Sequence, residues 1–301
     1  MESIKLLPDW MYHAIEESFT CQFVSVTAGD APVALPLFLS HFDPDTGTLI
    51  ISSPTVVKRV ENVRRNPEVA MLFSPTGSRE GEPAHVLLVQ GRAEVDDSDP
   101  ENGWKRYFAG WARRQSSARA SLPRISQMMP GYVQRAIIRI RPTHFLGWPE
   151  GDMQRAPEIV EVNGASTENQ GSTGRADLPA RSQVSQKNEM IEWTDELITQ
   201  IRSSNRAVLS CGGQDGYPVA LPLPFTFDQG KHLFTFQKPA QLPAISSETQ
   251  ESASLTLLRY DPQRASETYV LFYGRLAEDD GTWSFTPTRV VLQQWASRRG
   301  R

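Results

Sequence analysis

Cysteine is scarce: Cys21 and Cys211 are the only two in 301 residues. Two thiols cannot build a disulfide framework or a four-thiolate zinc site. Long apolar runs are missing as well. None approaches the about 18 residues that a membrane-spanning helix needs, so no membrane partner is expected. Met1 to Pro8 carries no extended apolar core of a secretory signal, and a reduced, cytoplasmic setting is the expectation. Positive charge is not in excess. Lys and Arg number 31 against 35 Asp and Glu, a net charge of -4, which argues against a general nucleic-acid binder. The histidines, His13, His41, His85, His144 and His232, are scattered and never fall in a His-x-x-x-His spacing, so no metal site is expected. There is no Gly-x-Ser-x-Gly elbow, and neither cysteine stands in a motif with a histidine. No side chain is marked as a general acid or base.

What is present is ordinary in bulk and unusual in order. Hydrophobic residues make up 39%, enough for sizeable cores. The length favours two domains at roughly 100–200 residues each. The string Pro32-Val33-Ala34-Leu35-Pro36-Leu37 recurs unchanged as Pro218 to Leu223. A second echo sets Val86-Leu87-Leu88-Val89-Gln90-Gly91-Arg92-Ala93-Glu94 against Val270 to Glu278. Two echoes in the same order at nearly the same separation indicate an internal duplication. Between the copies, Asn163 to Lys187 is rich in Gly, Ser, Thr, Asn and Gln and poor in large apolar residues. Such a segment cannot offset its ordering entropy by burial, so it reads as a flexible linker.

Each half reads mainly as strands. In the first, Cys21 to Thr27 and Val33 to Phe42 flank a turn at Gly29 to Pro32. Asp43 to Gly47 is a hairpin turn leading into Thr48 to Ser52. Thr55 to Arg65 has the spacing of a short amphipathic helix, ended by Asn66-Pro67. Glu68 to Phe73, His85 to Val95 and Ala136 to Ile140 are further strands, with a basic helix over Trp104 to Arg119. In the second half, a helix over Trp193 to Ser203 precedes strands at Arg206 to Cys211, Val219 to Phe227, His232 to Phe236, Ser254 to Tyr260 and Thr268 to Leu276. The segment Pro243 to Glu251 stands where the first half has its short helix. The fold class is mainly β with short helices, one small closed or partly closed barrel in each half.

The order Gly29-x-x-Pro32-x-x-x-Pro36, a hairpin, Ser52-Ser53, then Lys58-Arg59-x-x-Asn62-Val63-x-x-Asn66-Pro67-x-Val69-Ala70 resembles the pyridoxamine 5′-phosphate oxidase-like superfamily. The strand ending Val89 to Val95 fits it, as do Ile138 to Pro142 with Gly147-Trp148. Asp215-Gly216-x-Pro218-x-x-x-Pro222 is the clearest match in the second half. The resemblance implies split β-barrels that bind FMN between two barrels, with relatives that use the deazaflavin coenzyme F-420 or bind heme. On that reading, residues 1–160 form one split barrel holding the cofactor site. Residues 161–188 are the linker, and 189–301 form a second barrel with a degenerate site. The two barrels would make an internal pseudo-dimer; pairing of two chains through equivalent halves is the alternative.

Ser52, Ser53, Thr55, Lys58 and Arg59 are the candidate phosphate holders. Hydroxyls and backbone N–H groups at a helix start suit an oxyanion, and a neighbouring cation adds charge-assisted bonds. On the residues alone the segment reads equally as a solvated helix start with an incidental basic pair. The resemblance implies the phosphate role, although Arg59 stands where the family usually has Lys, with Lys58 before it. Backbone at Leu35, Pro36 and Leu37 would flank the ring. Trp148 could stack on it, whereas Trp104, Trp111, Tyr132 and Trp295 read as lids or core anchors. Arg64, Arg65, Arg113 and Arg114 could form the basic track a deazaflavin tail would need. The second half has no basic residue in Gln241 to Glu248, with Lys238 the nearest substitute. The expected chemistry is hydride transfer to or from a small-molecule substrate, with a non-catalytic flavin- or heme-binding module as the alternative.

Overall fold

The computed structural model describes residues 7–18, 20–74, 85–114, 134–162, 191–239, 242, 250–261 and 266–292. The first half holds α1 (Asp9–Glu17), β1 (Cys21–Val26), β2 (Pro32–Leu37), β3 (Leu39–Phe42), β4 (Leu49–Pro54), α2 (Lys58–Arg65), β5 (Glu68–Phe73), β6 (Val86–Asp96), α3 (Pro100–Arg114), β7 (Arg135–Trp148) and β8 (Glu158–Glu161). The second holds α4 (Asp195–Ser203), β9 (Arg206–Gly212), β10 (Pro218–Pro222), β11 (Thr226–Asp228), β12 (Leu233–Gln237), β13 (Gln250–Asp261), β14 (Ser266–Asp279) and β15 (Thr282–Leu292).

The duplication is complete at the level of topology. One curled sheet runs β2-β1-β5-β6-β7-β4-β3, with β8 on the outer side of β7; the other runs β10-β9-β13-β14-β15-β12-β11. Strand for strand the orders coincide. The helices repeat too: α1 and α4 stand at the same separation as the Pro32 and Pro218 strings. All the sheet pairings are antiparallel, as short connections allow. The turns are held as their composition demands. Asp43 accepts from the Asp45 amide at 3.0 Å and the Thr46 hydroxyl at 2.7 Å, and Gly47 takes a φ of 68°.

Several expectations need correction. The helix expected over Thr55 to Arg65 begins only at Lys58, because Pro54 to Val57 forms a turn first. It ends as expected, with Asn66 extended before Pro67. The strand Val33 to Phe42 is broken at Phe38, where the chain passes from one neighbour to another. The Trp104 helix starts earlier, at Pro100. The strand expected over Ala136 to Ile140 runs on to Trp148, because Pro142 is absorbed in a bulge rather than ending it. Helix α1 and strands β8 and β15 are additions to the expected set. In the segment Pro243 to Glu251, which takes the place of the short helix, Gln250 and Glu251 already belong to β13. The rest of that segment, the expected linker, Tyr132 and Trp295 lie outside the described residues.

Apolar alternation explains the packing. Odd-numbered residues of the first sheet, such as Phe23, Leu49, Ile51, Met71 and Val89, fill its interior together with Met11 and Ile15 of α1. Even-numbered residues such as Val24, Ala70, Leu72, Leu88, Leu146 and Trp148 belong to the same buried cluster as the second half. The halves therefore share a continuous core and form an internal pseudo-dimer. Polar bonds align it. β2 is an edge strand, and the Ser254 and Thr256 hydroxyls of β13 donate to its Pro32 and Ala34 carbonyls at 2.6 and 2.7 Å. The equivalent carbonyl, Pro218, accepts from Gln90 Nε2 at 3.4 Å. No helix among the described residues is long and apolar enough to cross a membrane.

Candidate functional site

The site follows from a split in the first sheet. β3 pairs with β4 only from Phe42–Leu49 to Leu39–Ile51. Beyond that point β4 continues through Ser52, Ser53 and Pro54 against β7 alone, while β2 turns away to pair with β1. The two strands part there, β2 toward β1 and β4 toward β7. α2 starts just past β4. Leu35, Pro36 and Leu37 are half-buried, unlike Val33 and Ala34 before them.

The structure divides the expected phosphate holders. Ser52 and Ser53 are both buried and lie on opposite faces of β4. Arg59, half-buried on α2, donates from Nη1 to Ser53 Oγ at 3.3 Å. Ser52 faces away from this pair. Its hydroxyl accepts from Arg135 Nε at 2.8 Å, and its carbonyl from Arg135 Nη2 at 2.9 Å. Arg135 is 2% exposed and stacks its guanidinium on Tyr107 at 3.8 Å. Sequence reasoning missed Arg135; it directly precedes an apolar strand, and no motif marks it. Thr55 anchors the turn, donating from its amide and hydroxyl to the Gln134 carbonyl at 2.9 and 3.3 Å.

Lys58 is exposed and pairs with no carboxylate among the described residues. It opens α2, whose N-cap, Val57, offers no side-chain cap. Uncapped first-turn N–H groups carry partial positive charge. Lys58, Arg59, the Ser53 hydroxyl and this helix start together make a donor set suited to an oxyanion such as a phosphate monoester. The apolar stretch Leu35 to Leu37 suits the flat face of an aromatic ring.

The remaining candidates have other work. Trp148 is fully buried in the core shared by the halves, and its indole Nε1 has no hydrogen-bond partner among the described residues. Trp104 stacks with Tyr107 and Phe108 on α3. Arg64 is bonded to Asp97, and Arg65 donates to the Val26 carbonyl at 2.7 Å and Asn62 at 3.1 Å. The side chains of Trp111, Arg113 and Arg114 lie outside the described residues. Lys238 holds Glu278 at 2.6 Å, which keeps that carboxyl below its ordinary range.

Tyr269 of β14 feels the Arg59 charge: burial raises its phenol pKa, and the nearby guanidinium pulls the other way. Tyr269 lies one residue before the second echo, and sequence reasoning gave it no role.

Residues 8–149 match the family model for pyridoxamine 5′-phosphate oxidase. No curated protein matches the chain. Solved structures similar to it include a putative pyridoxamine 5′-phosphate oxidase from Listeria innocua. That structure is 24% identical, covers 46% of this chain and 94% of its own, and has a TM-score of 0.31. A pyridoxamine 5′-phosphate oxidase-related, FMN-binding protein from Nostoc punctiforme is 12% identical, with coverages of 53% and 99% and a TM-score of 0.35. The heme storage protein of Vibrio cholerae is 15% identical, with coverages of 45% and 89% and a TM-score of 0.34.

Proposed function

We propose that the chain, whose residues 8–149 match the family model for pyridoxamine 5′-phosphate oxidase, is a member of that superfamily of FMN-binding split barrels and an FMN-dependent oxidoreductase acting on a small molecule. The observation that carries this reading is the pairing of Arg59 with Ser53 beside exposed Lys58 and an uncapped helix start. Lys58, Arg59 and the Ser53 hydroxyl would hold the phosphate, and Leu35 to Leu37 would border the ring. Arg135 would act as a support: by fixing Ser52 it holds the end of β4, and so the position of Ser53 beside it. Bound FMN supplies hydride transfer. The protein then needs to bind, orient and exclude water rather than to offer a strong acid or base.

The second half contributes the opposing wall and, on this reading, no second phosphate site, so one FMN binds per chain. Lys238, the one substitute cation, is already engaged by Glu278. A deazaflavin would need a basic track for its longer anionic tail. Arg64 and Arg65 are committed to Asp97 and Val26, which favours FMN over that alternative.

The test is a fluorescence titration with FMN, wild type against the Lys58→Ala/Arg59→Ala double variant. Loss of about 100-fold in affinity is expected, in line with two charge-assisted contacts. Equal affinity in the double variant removes the proposed site. Reduction of the loaded protein by NAD(P)H, followed by reoxidation, separates an enzyme from a binding module.

A further inference from the structure

The two sheets can be matched residue by residue along β7 and β15. Gly91 faces Pro142 on β7, and Gly274 faces Pro287 on β15. Two residues past each proline, His144 lies opposite Gln90 and Arg289 opposite Tyr273. His144 to Gly147 therefore corresponds to Arg289 to Leu292. On β7 this stretch has a strand on each side, β6 on one and β8 on the other, from His144–Glu161 to Gly147–Glu158. On β15, β14 fills one side, and β12 fills the other only from Thr282 to Phe285. Among the described residues, no strand pairs with the outer side of Thr286 to Leu292.

The halves differ in cover as well as in pairing. Trp10 of α1 sits over Gly147, where a Cβ would run into its ring, and its indole nitrogen donates to Glu158 Oε2 of β8 at 3.1 Å. The matching residue of α4, at the separation of the repeated strings, is Glu196, which is exposed. Leu146 is 3% exposed, whereas its counterpart Val291 is 42% exposed. Leu292, in the place of Gly147, is 41% exposed. Among the described residues, four large apolar side chains are exposed, and these two are neighbours on an unpaired strand edge. An edge of that kind is a template for a further strand.

We propose that Thr288 to Leu292 of β15 is the surface through which two copies of this chain associate, each adding its β15 to the other's sheet as an antiparallel strand. Symmetry and charge select this occupant. A two-fold axis between two copies of one strand pairs them antiparallel, as all the sheet pairings within the chain already are. β8 also has an open edge, since it pairs with β7 alone. Pairing β8 with a second β8 would set Glu158 against Glu161, and like charges directly opposite repel. β15 carries one ionisable group, Arg289, whose guanidinium lies 3.8 Å from the Tyr273 ring. With the axis at Val290, Arg289 faces Val291 and Thr288 faces Leu292, so no like charges meet. Lysine, a usual guard of open edges, is absent from β15, and Pro287 falls just outside the stretch. The contact is independent of the FMN reading.

Light scattering on the full-length chain reads the mass directly. The wild type is expected at twice the chain mass, and Val291→Lys at the single mass under the same conditions, because each copy then brings a charge to the axis. Ile159→Lys, on the exposed edge strand β8, is the control and should keep the double mass. Hydrogen exchange gives a second readout that needs no variant: the amides of Thr288 to Leu292 should gain protection as wild-type concentration rises, while those of β8 do not change. A wild type at the single mass at every concentration overturns the proposal; β15 amides that are protected in that monomer would mean that a segment of the same chain covers the edge. A double mass that survives Val291→Lys, or that Ile159→Lys abolishes instead, also overturns it by placing the contact elsewhere.

Discussion

Gly91 and Gly274 occupy the same place in the two sheets. Each sits at a register shift, one between Gln90 and Gly91 and the other between Tyr273 and Gly274. Each faces a proline on the neighbouring strand, Pro142 and Pro287. A Cβ on either glycine would run into a carbonyl of that strand, from Arg141 or Thr286. The bulge lets a long strand carry a proline without ending, and only glycine leaves room for the close approach.

Gly91→Ala and Gly274→Ala should therefore each destabilise the protein at the upper end of about 1–3 kcal/mol, the usual cost of forcing atoms into a packed site. Gly216→Ala makes the comparison. Its backbone has a φ of 85° but open space around it, so only conformational strain of about 1 kcal/mol applies. Urea midpoints order the three. Equal shifts at Gly91 and Gly216 would refute the close-contact account.

Ser254→Ala and Thr256→Val remove hydroxyls and leave the Pro32 and Ala34 carbonyls without those donors inside the shared core. Each should cost about 1–2 kcal/mol. Because the loss falls between the halves, hydrogen exchange should rise in β2 and β13 before it rises in β6 or β7.

Gln22 is fully buried on the inter-half face, and neither amide atom has a hydrogen-bond partner among the described residues. An unsatisfied buried amide is costly, so Gln22→Met, close in shape and apolar, should stabilise by about 1–3 kcal/mol. A lower urea midpoint in this variant would show that the amide is satisfied by a bridging water.

The Lys238–Glu278 pair gives a pH signature. The Lys238 ammonium, by its hydrogen bond, holds the Glu278 carboxyl below its ordinary value. A carboxyl depressed in the folded state contributes stability above its unfolded pKa, and the contribution is lost as pH falls through the folded value. Lys238→Met should lower the urea midpoint at neutral pH, by a small amount because the pair is partly exposed. The difference from wild type should shrink as pH falls through the folded value, once Glu278 is protonated in both states.

The duplication, the turns and most strands were legible because they depend on local chemistry. Asp43 to Gly47 spells a turn, and the repeated Pro-Val-Ala-Leu-Pro-Leu string spells a repeat. Proline misled at Pro142, since nothing in the local string shows that Gly91, distant in sequence, faces it across the bulge. The candidate site was legible in part. Lys58, Arg59 and Ser53 fall at one helix start, as expected. Ser52 falls on the other face of its strand, because adjacent residues in a strand alternate. Arg135 was hidden because it reaches Ser52 through pairing across strands, which no spacing along the chain records.

The bonds between the halves have a consequence for how this chain can change over time. Ala70 and Leu72 stand where the second sheet has Ser254 and Thr256. In an assembly of two identical subunits every substitution appears twice, once on each side of the axis. A hydroxyl that helps on one side must be tolerated on the other. With both copies in one polypeptide, each side mutates alone. Hydroxyls hold the β2 edge, a glutamine amide reaches the matching Pro218 carbonyl, and the molecule is free to be lopsided.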